Sequence, residues 1–484
     1  MAGITFSGLT ISGGGLTAAP PPTAPGAPII GTATATGATT ATVAFTQPTN
    51  DGGAAITSYT ATSSPGSITG TLNQAGSGTI TVSGLTAGTA YTFTVTATNS
   101  VGTSTASAAS NSITPPVPVQ KVFVFGYNNY GQLGLNDQTS RSSPVQLGSN
   151  GSTWSVFSAN PSSINNAHNA GIKQDGTLWT WGNNASYGQL GLGDKVNRSS
   201  PTQVGSDTNW NKVNDGNAHK VGVKTDGTMW SWGNNSTGQL GQGPSNGSIY
   251  QLNCSSPVQV GALTNWSNVA CGASHTLALK TNGTLWSFGY NSYGGALGLG
   301  DTTNRYSPVQ VGAGTTWSKI SAGAYHSAAI KSDGTLWLWG YNGYGNLGDG
   351  TTTNRSSPVQ IGSDTNWSLV SAGSYFTVAV KTNGTLWSFG NNGSGQLGLG
   401  DTTNRSSPTQ VGAGTNWSLV KTGTYHTVAL KTDGTLWSFG YNNRGQLGLN
   451  DQTPRSSPTQ IGSYSDWSSV YVSSASTTIV ESTV

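Results

Sequence analysis

All five histidines of the chain, His168, His219, His275, His326 and His426, fall at one position of a recurring pattern. Imidazoles gathered in a ring would suggest a metal site or a proton relay. A metal, however, needs its ligands to converge within about 2–2.2 Å of one point. Residues related by a regular repeat are spread around a wide circle instead. The expected role of each histidine is therefore structural, a hydrogen bond within its own repeat unit, and no metal or other cofactor is expected.

The charged residues obey the same periodicity. Lys173, Lys224, Lys280, Lys331, Lys381 and Lys431 share one position, and Arg141, Arg198, Arg305, Arg355, Arg405 and Arg455 share another. Asp137, Asp194, Asp301, Asp401 and Asp451 each precede an arginine by four residues, which predicts local pairs contributing only ~0–1 kcal/mol each. A ring of arginines on one face could instead attract phosphates or acidic glycans. The chain has no GxSxG elbow, no HExxH and no GxxxxGK[ST]. Catalysis needs one asymmetric constellation, and no enzyme is expected.

Departures from the repeat carry more information. Tyr127, Tyr130, Tyr187, Tyr290, Tyr293, Tyr341, Tyr344 and Tyr441 lie in or beside "GYNxYG" loops, and Tyr250 lies in the insertion "GQGPSNGSIYQLNCSSP". Aromatic rings with neighbouring Asn can stack on sugars and hydrogen-bond their hydroxyls. Tyr250, Tyr290, Tyr293, Tyr341 and Tyr344 are the candidate binding residues. The alternative is packing at the edges of the repeat units.

These positions require a particular scaffold. Gly126, Gly182, Gly233, Gly289, Gly340, Gly390 and Gly440 mark seven copies, as do Trp154, Trp210, Trp266, Trp317, Trp367, Trp417 and Trp467. A period near 50 residues in a strand-rich chain indicates a β-propeller with one blade per repeat. In the copy at 417–461, "WSLVKTG" reads as a first strand and "SSPTQIG" as a short outer one. Between them "HTVALKTDGTLWSFG" reads as a hairpin, with Asp433 and Gly434 as the two positive-φ residues of a type I′ turn.

The first copy, "KVFVFGYNNYGQLGLND", starts half-way through the pattern, and the last, "DWSSVYVSSASTTIVESTV", stops where "DGTLWSFG" would follow. One blade is therefore expected to form from residues 121–150 together with 467–484, hiding strand edges that would otherwise be exposed. Phe123 and Phe125 should occupy the places of Trp437 and Phe439. The motif "AGxxHTxALKxDGTLWSWGxNxxGQLGLGD" resembles the repeat of the regulator of chromosome condensation family over residues 121–484. That resemblance implies a seven-bladed propeller. For function it is broad, because members serve as exchange factors, scaffolds, inhibitors and structural proteins.

Ahead of the repeats, residues 1–17 form a short Gly-rich segment and residues 18–27 a proline-rich linker. Residues 28–116 contain short alternating segments that predict a seven-stranded sandwich. "GLTAGTAYTFTVTATNSVG" resembles the fibronectin type III pattern, which implies Tyr91 as the corner tyrosine and Leu85, Phe93, Val95 and Ala97 as core. Val43 and Phe45 stand where that family usually places a Trp. The fold class is all-β, a sandwich followed by a propeller closed by its N- and C-terminal strands.

Charged residues make up 7% of the 484-residue chain, against about 25% in an average soluble protein. A net charge of +3 gives no sign of a nucleic-acid partner. Two cysteines, Cys254 and Cys271, exclude a disulfide framework while leaving one bridge open. No signal-peptide pattern or membrane-length apolar run is present, so no membrane insertion is expected.

Low charge and Ser/Thr/Asn/Gly richness, on a sandwich-plus-propeller layout, resemble bacteriophage virion appendages. The expected function is non-enzymatic, a virion component located on the particle. Its N-terminal segment would pair with other virion proteins, and its propeller would face a host-surface glycan or protein. A bacterial cell-surface or exported adhesion protein is the alternative. Guanine-nucleotide exchange, the best-known activity of the resembled family, is less expected for near-uniform blades without a basic tail.

Overall fold

In the computed structural model, which describes residues 9–12, 15–18, 20–116, 119–148, 154–158, 167–243 and 252–483, every regular element is a strand. The chain divides into two units, Met1–Pro118 and Val119–Thr483.

The first unit contains a short hairpin, Leu9–Ser12 with Gly15–Ala18, and a sandwich of two three-stranded sheets. One sheet joins Ile29–Ala35, Thr40–Thr46 and Gly78–Ser83, and the other joins Thr69–Leu72, Ile56–Ser64 and Thr92–Asn99. Period-two alternation turns Phe93, Val95 and Ala97 inward against Val43, Phe45, Tyr59 and Ile80. The Tyr91 hydroxyl accepts the Thr86 N–H at 3.0 Å, the tie expected of a corner tyrosine.

The sandwich has six regular strands rather than seven. The seventh is replaced by an irregular segment whose contacts recur every third residue. Ser104, Ser107 and Ser110 donate their N–H groups to the carbonyls of Ala97, Val95 and Phe93. Their hydroxyls, at 2.9–3.0 Å, accept the N–H groups of those same three residues. Serine side chains thus complete the edge of the Thr92–Asn99 strand where carbonyls would do so in a regular ladder.

The second unit consists of seven four-stranded antiparallel sheets. Six are continuous in sequence and begin at Trp154, Trp210, Trp266, Trp317, Trp367 and Trp417; we number these blades 1–6. In each, the Trp-led strand is innermost, because the Trp-led strands of neighbouring blades pack together, while the "RSSP"-type strand lies at the rim.

The hairpin turn differs from the type I′ expected. Gly434 has φ +77°, whereas Asp433 does not have positive φ. Lys431 N–H donates to Thr435 O at 3.0 Å, and Gly434 N–H donates to Lys431 O at 3.0 Å. The loop therefore has three residues, with glycine alone in the left-handed region. Asp433 acts through its side chain, whose Oδ1 accepts the Thr435 N–H and hydroxyl at 3.0 and 2.6 Å. The Trp437 indole N–H in turn donates to the Thr435 hydroxyl at 2.9 Å.

Blade 7 takes its strands from both ends of the repeat region, in the order Arg141–Gln146, Val119–Gly126, Ser476–Thr483, Trp467–Val472. Phe123 pairs with Ile479 and Phe125 with Thr477, matching Trp437 with Ala429 and Phe439 with Thr427 in blade 6. Phe125 is fully buried, as is Phe439.

Candidate functional site

The histidines lie in the joints between blades, not within their own blades as the sequence suggested. His219 Nε2 is 3.2 Å from the Thr276 hydroxyl of the next blade. His275 meets Ser327 at 3.0 Å, His326 meets Thr377 at 3.0 Å, and His426 meets Thr477 at 3.4 Å. Each hydroxyl donates onward to a loop carbonyl, of Gln239, Ala296, Asn346 and Gln446 respectively. A hydroxyl has one proton to give, so Nε2 carries the imidazole proton in each joint.

Burial drives the pKa of His219, His326 and His426 down to about 3 and that of His275 to about 4. His168 is fully buried at the equivalent position in blade 1, and Phe376 fills it in blade 5. These neutral imidazoles lock blades together. They do not face a substrate.

The arginines and lysines are also occupied. Arg141, Arg198, Arg305, Arg405 and Arg455 pair with Asp137, Asp194, Asp301, Asp401 and Asp451 at 2.5–2.6 Å, and Arg355 pairs with Asp349 at 2.8 Å. The six lysine ammonium groups lie over tryptophan rings.

One ionic pair departs from the repeat. Where blades 3–7 carry Thr or Ser and blade 1 carries Asn169, blade 2 has Lys220, fully buried 2.6 Å from the equally buried Asp215. The Ser158 hydroxyl of blade 1 donates to Asp215 at 2.5 Å. Burial pushes the Asp215 carboxyl up and the Lys220 amine down to about 8, and their mutual attraction opposes both shifts. Asp215→Ala alone would strand a buried cation and should cost about 3–5 kcal/mol. Asp215→Ala with Lys220→Thr installs the residues that blade 5 uses, Ala372 and Thr377, and should restore stability to within about 1 kcal/mol. Urea unfolding of the two variants measures the difference.

The two cysteines are free. Cys254 is half-buried at the rim with its thiol on Gln242 Oε1 at 3.4 Å, whereas Cys271 is buried on an inner strand, 3.6 Å from the Asn214 carbonyl. Burial raises the Cys271 thiol pKa well above its ordinary value. The bridge left open by the sequence is not formed.

The tyrosines break the sevenfold regularity. His326 pairs with Gly340 across the hairpin, so the turn before each histidine and the loop after each such glycine share one end of the blade. At this end Tyr293 stacks on Tyr341 with ring centres 4.8 Å apart and an interplanar angle of 17°. Tyr325 meets Tyr293 at 5.1 Å, and Tyr375 lies 5.3 Å from Tyr344 and 5.8 Å from both Tyr325 and Tyr341. Tyr290, Tyr293, Tyr325 and Tyr375 line a 380 Å³ cavity with Thr237 and Ser274. No charged residue lines it. Tyr293 and Tyr344 are 45% and 38% exposed, which leaves their edges available to a ligand.

Four of the five candidate binding tyrosines, Tyr290, Tyr293, Tyr341 and Tyr344, thus fall in one sector of one face. Tyr250 lies outside the described residues. Burial, with neighbouring phenols adding to it, raises the Tyr375 pKa well above its ordinary value and that of Tyr341 to about 12. The Tyr341 and Tyr375 phenols therefore remain protonated, able both to donate and to accept. Tyr325 and Tyr375 were not among the expected residues. Their signal is the residue before the histidine position, which is Ala167, Ala218, Ser274, Tyr325, Tyr375, Tyr425 and Ala475 around the ring.

Three family models match the chain. Residues 247–480 match the RCC1-like domain, residues 121–159 and 175–222 the regulator of chromosome condensation (RCC1) repeat, and residues 26–113 the fibronectin type III domain. The ultraviolet-B receptor UVR8 of Arabidopsis thaliana is 35% identical over 185 residues, 37% of this chain and 41% of that protein. The mitochondrial RCC1 domain-containing protein RUG3 of the same plant is 29% identical over 233 residues, 46% of this chain and 50% of that protein. The chain spans half or less of the length of these relatives.

Among solved structures, human WBSCR16 superposes with a TM-score of 0.65 at 21% identity, covering 75% of this chain and 99% of that one. Yeast RCC1 (Prp20), bound to Kap60, superposes with a TM-score of 0.64 at 18% identity, covering 76% and 90%. At such identities the likeness is one of fold. Repeat models over most of Val119–Thr483, on a ring of seven four-stranded sheets, show that the chain carries RCC1 repeats with a fibronectin type III domain ahead of them in sequence.

Proposed function

We propose that the protein is a non-enzymatic binding protein whose tyrosine sector docks an uncharged ligand surface, most specifically a glycan. The observation that carries this reading is the sector itself. Six tyrosines from blades 3–5 gather at one end of an otherwise uniform ring, around a cavity without charged lining. Phenol rings offer flat faces to sugar rings, and their hydroxyls, with those of Thr237 and Ser274, suit sugar hydroxyls. Related propellers support a recognition role in general, since the yeast ones are described with Kap60, Gsp1p and histones as binding partners.

For setting we propose a particle or cell surface, with a bacteriophage virion as the finer reading and the N-terminal segment as its attachment to other virion proteins. The low charge and the short hairpin Leu9–Ser12/Gly15–Ala18 support this, because a two-stranded hairpin gains stability by adding a partner's strand.

Glycan arrays probed with the full chain and with the variant Tyr293→Ala/Tyr344→Ala test the docking reading. The expected result is retention of a defined neutral glycan, weakened at least about tenfold in the variant. Retention of none, or equal retention by both, rejects it. Mass spectrometry of purified particles tests the setting, and absence of the chain from them rejects the virion.

A further inference from the structure

Six blades seat a lysine of their own over their inner tryptophan. Lys173, Lys224, Lys280, Lys331, Lys381 and Lys431 each hold the ammonium 3.7–4.2 Å from the centre of the hairpin Trp ring. The same ammonium is 4.7–5.4 Å from the inner-strand Trp. Such placement is favourable because the ring faces are electron-rich.

Blade 7 reverses this arrangement. Strand pairing sets Glu481 opposite Trp467, where Lys431 stands opposite Trp417. Phe123 replaces the hairpin Trp and meets Trp467 edge-on at 5.5 Å. Two residues earlier, at the position of Thr435, stands Lys121, whose ammonium turns to Glu481 Oε1 at 3.1 Å. Among the described residues no ammonium or guanidinium lies over the Trp467 or Phe123 ring.

The groove that results is roomy. Phe123, Trp467, Ile461, Lys121 and Glu481 line a 640 Å³ cavity with Tyr464 beside them, its ring 6.0 Å from that of Trp467. The equivalent grooves at Trp367 and Trp317 enclose 520 and 400 Å³, and Lys331 is part of the lining of the latter. The Glu481 side chain is only 9% exposed, whereas Lys121 is 30% exposed and can turn towards water.

We propose that the blade 7 groove binds an alkylammonium group, such as a lysine side chain presented by a partner. The group sits over Trp467, where the sister blades seat their own lysine, and takes Glu481 from Lys121. The recess is thus an aromatic box with one carboxylate, built for a compact cation.

Titration of the full chain with Nα-acetyl-lysine-amide, Nα-acetyl-norleucine-amide and n-butylammonium, followed by saturation-transfer NMR and calorimetry, tests this. The lysine probe should bind at least about tenfold more tightly than its neutral norleucine counterpart. Glu481→Gln should weaken it by a similar factor. Lys121→Thr/Glu481→Lys, which restores the residues of the sister blades, should abolish binding without lowering the melting temperature. n-Butylammonium binding as tightly as the lysine probe assigns the site to free amines, and weaker binding assigns it to a protein lysine; both support the ammonium site. Failure of the lysine probe to bind the natural chain, equal binding of lysine and norleucine probes, or undiminished binding by the double variant overturns the proposal.

Discussion

Truncation after Val472 lowers the melting temperature of the protein by about 10 °C or more and makes it prone to aggregate. The deleted strand, Ser476–Thr483, is held on both sides, by Val119–Gly126 and by Trp467–Val472. Removing it takes Ile479 and Val480 from the core and uncovers Val124, Phe125 and Val470, all buried in the closed ring. Each apolar side chain of this size contributes about 1.5–3 kcal/mol by burial, and each lost backbone hydrogen bond adds roughly 1 kcal/mol. The sum exceeds about 5 kcal/mol even before two sheet edges are left open. Calorimetry of the full and truncated chains checks this, and an unchanged propeller transition would show that the ring is held shut by other contacts.

Mild acid is the second large effect. An unfolded histidine titrates near pH 6.5, whereas the buried joints hold His219, His326 and His426 neutral to about 3 and His275 to about 4. Between these limits the unfolded chain binds more protons than the folded one, so stability falls as pH falls. The contribution is fully present above about pH 6.5 and drains away on the descent towards pH 4. Each fully engaged histidine contributes a slope of about 1.4 kcal/mol per pH unit, so four together approach roughly 5. Urea titrations at pH 7.0, 6.0 and 5.0 measure it. His426→Phe, imitating Phe376 of blade 5, should remove about a quarter of the slope, because one proton fewer distinguishes the two states. Equal midpoints at all three pH values would rule the mechanism out.

Legibility in the sequence followed the range of the interaction. The blade count and the partner of the half-repeat could be read because each copy states the same strands in the same order, so a missing strand identifies its own substitute. Tyr91 was readable because its hydrogen bond spans five residues. The histidine joints were not, since His219 and Thr276 lie 57 residues apart and meet only once blades are stacked. The serine edge of the sandwich escaped because a search for period-two alternation cannot see contacts recurring every third residue. The turn was misread because Asp-Gly fits two loop geometries, and only backbone φ distinguishes them. The candidate site was half legible. Tyrosines in the "GYNxYG" loops stood out by motif, whereas Tyr325 and Tyr375 belong to a different turn and join them through the alignment of strand ends.

The seam of blade 7 also has a mechanical direction. Val119 pairs with Thr483 and Gly126 with Ser476, so the chain enters and leaves the ring at the same end of one antiparallel ladder. Tension applied through Val119 and Thr483 would load those bonds one at a time, like a zipper, rather than all together as in shear. A ring fastened in this way withstands heat through its buried strands while yielding readily to a steady pull across its ends.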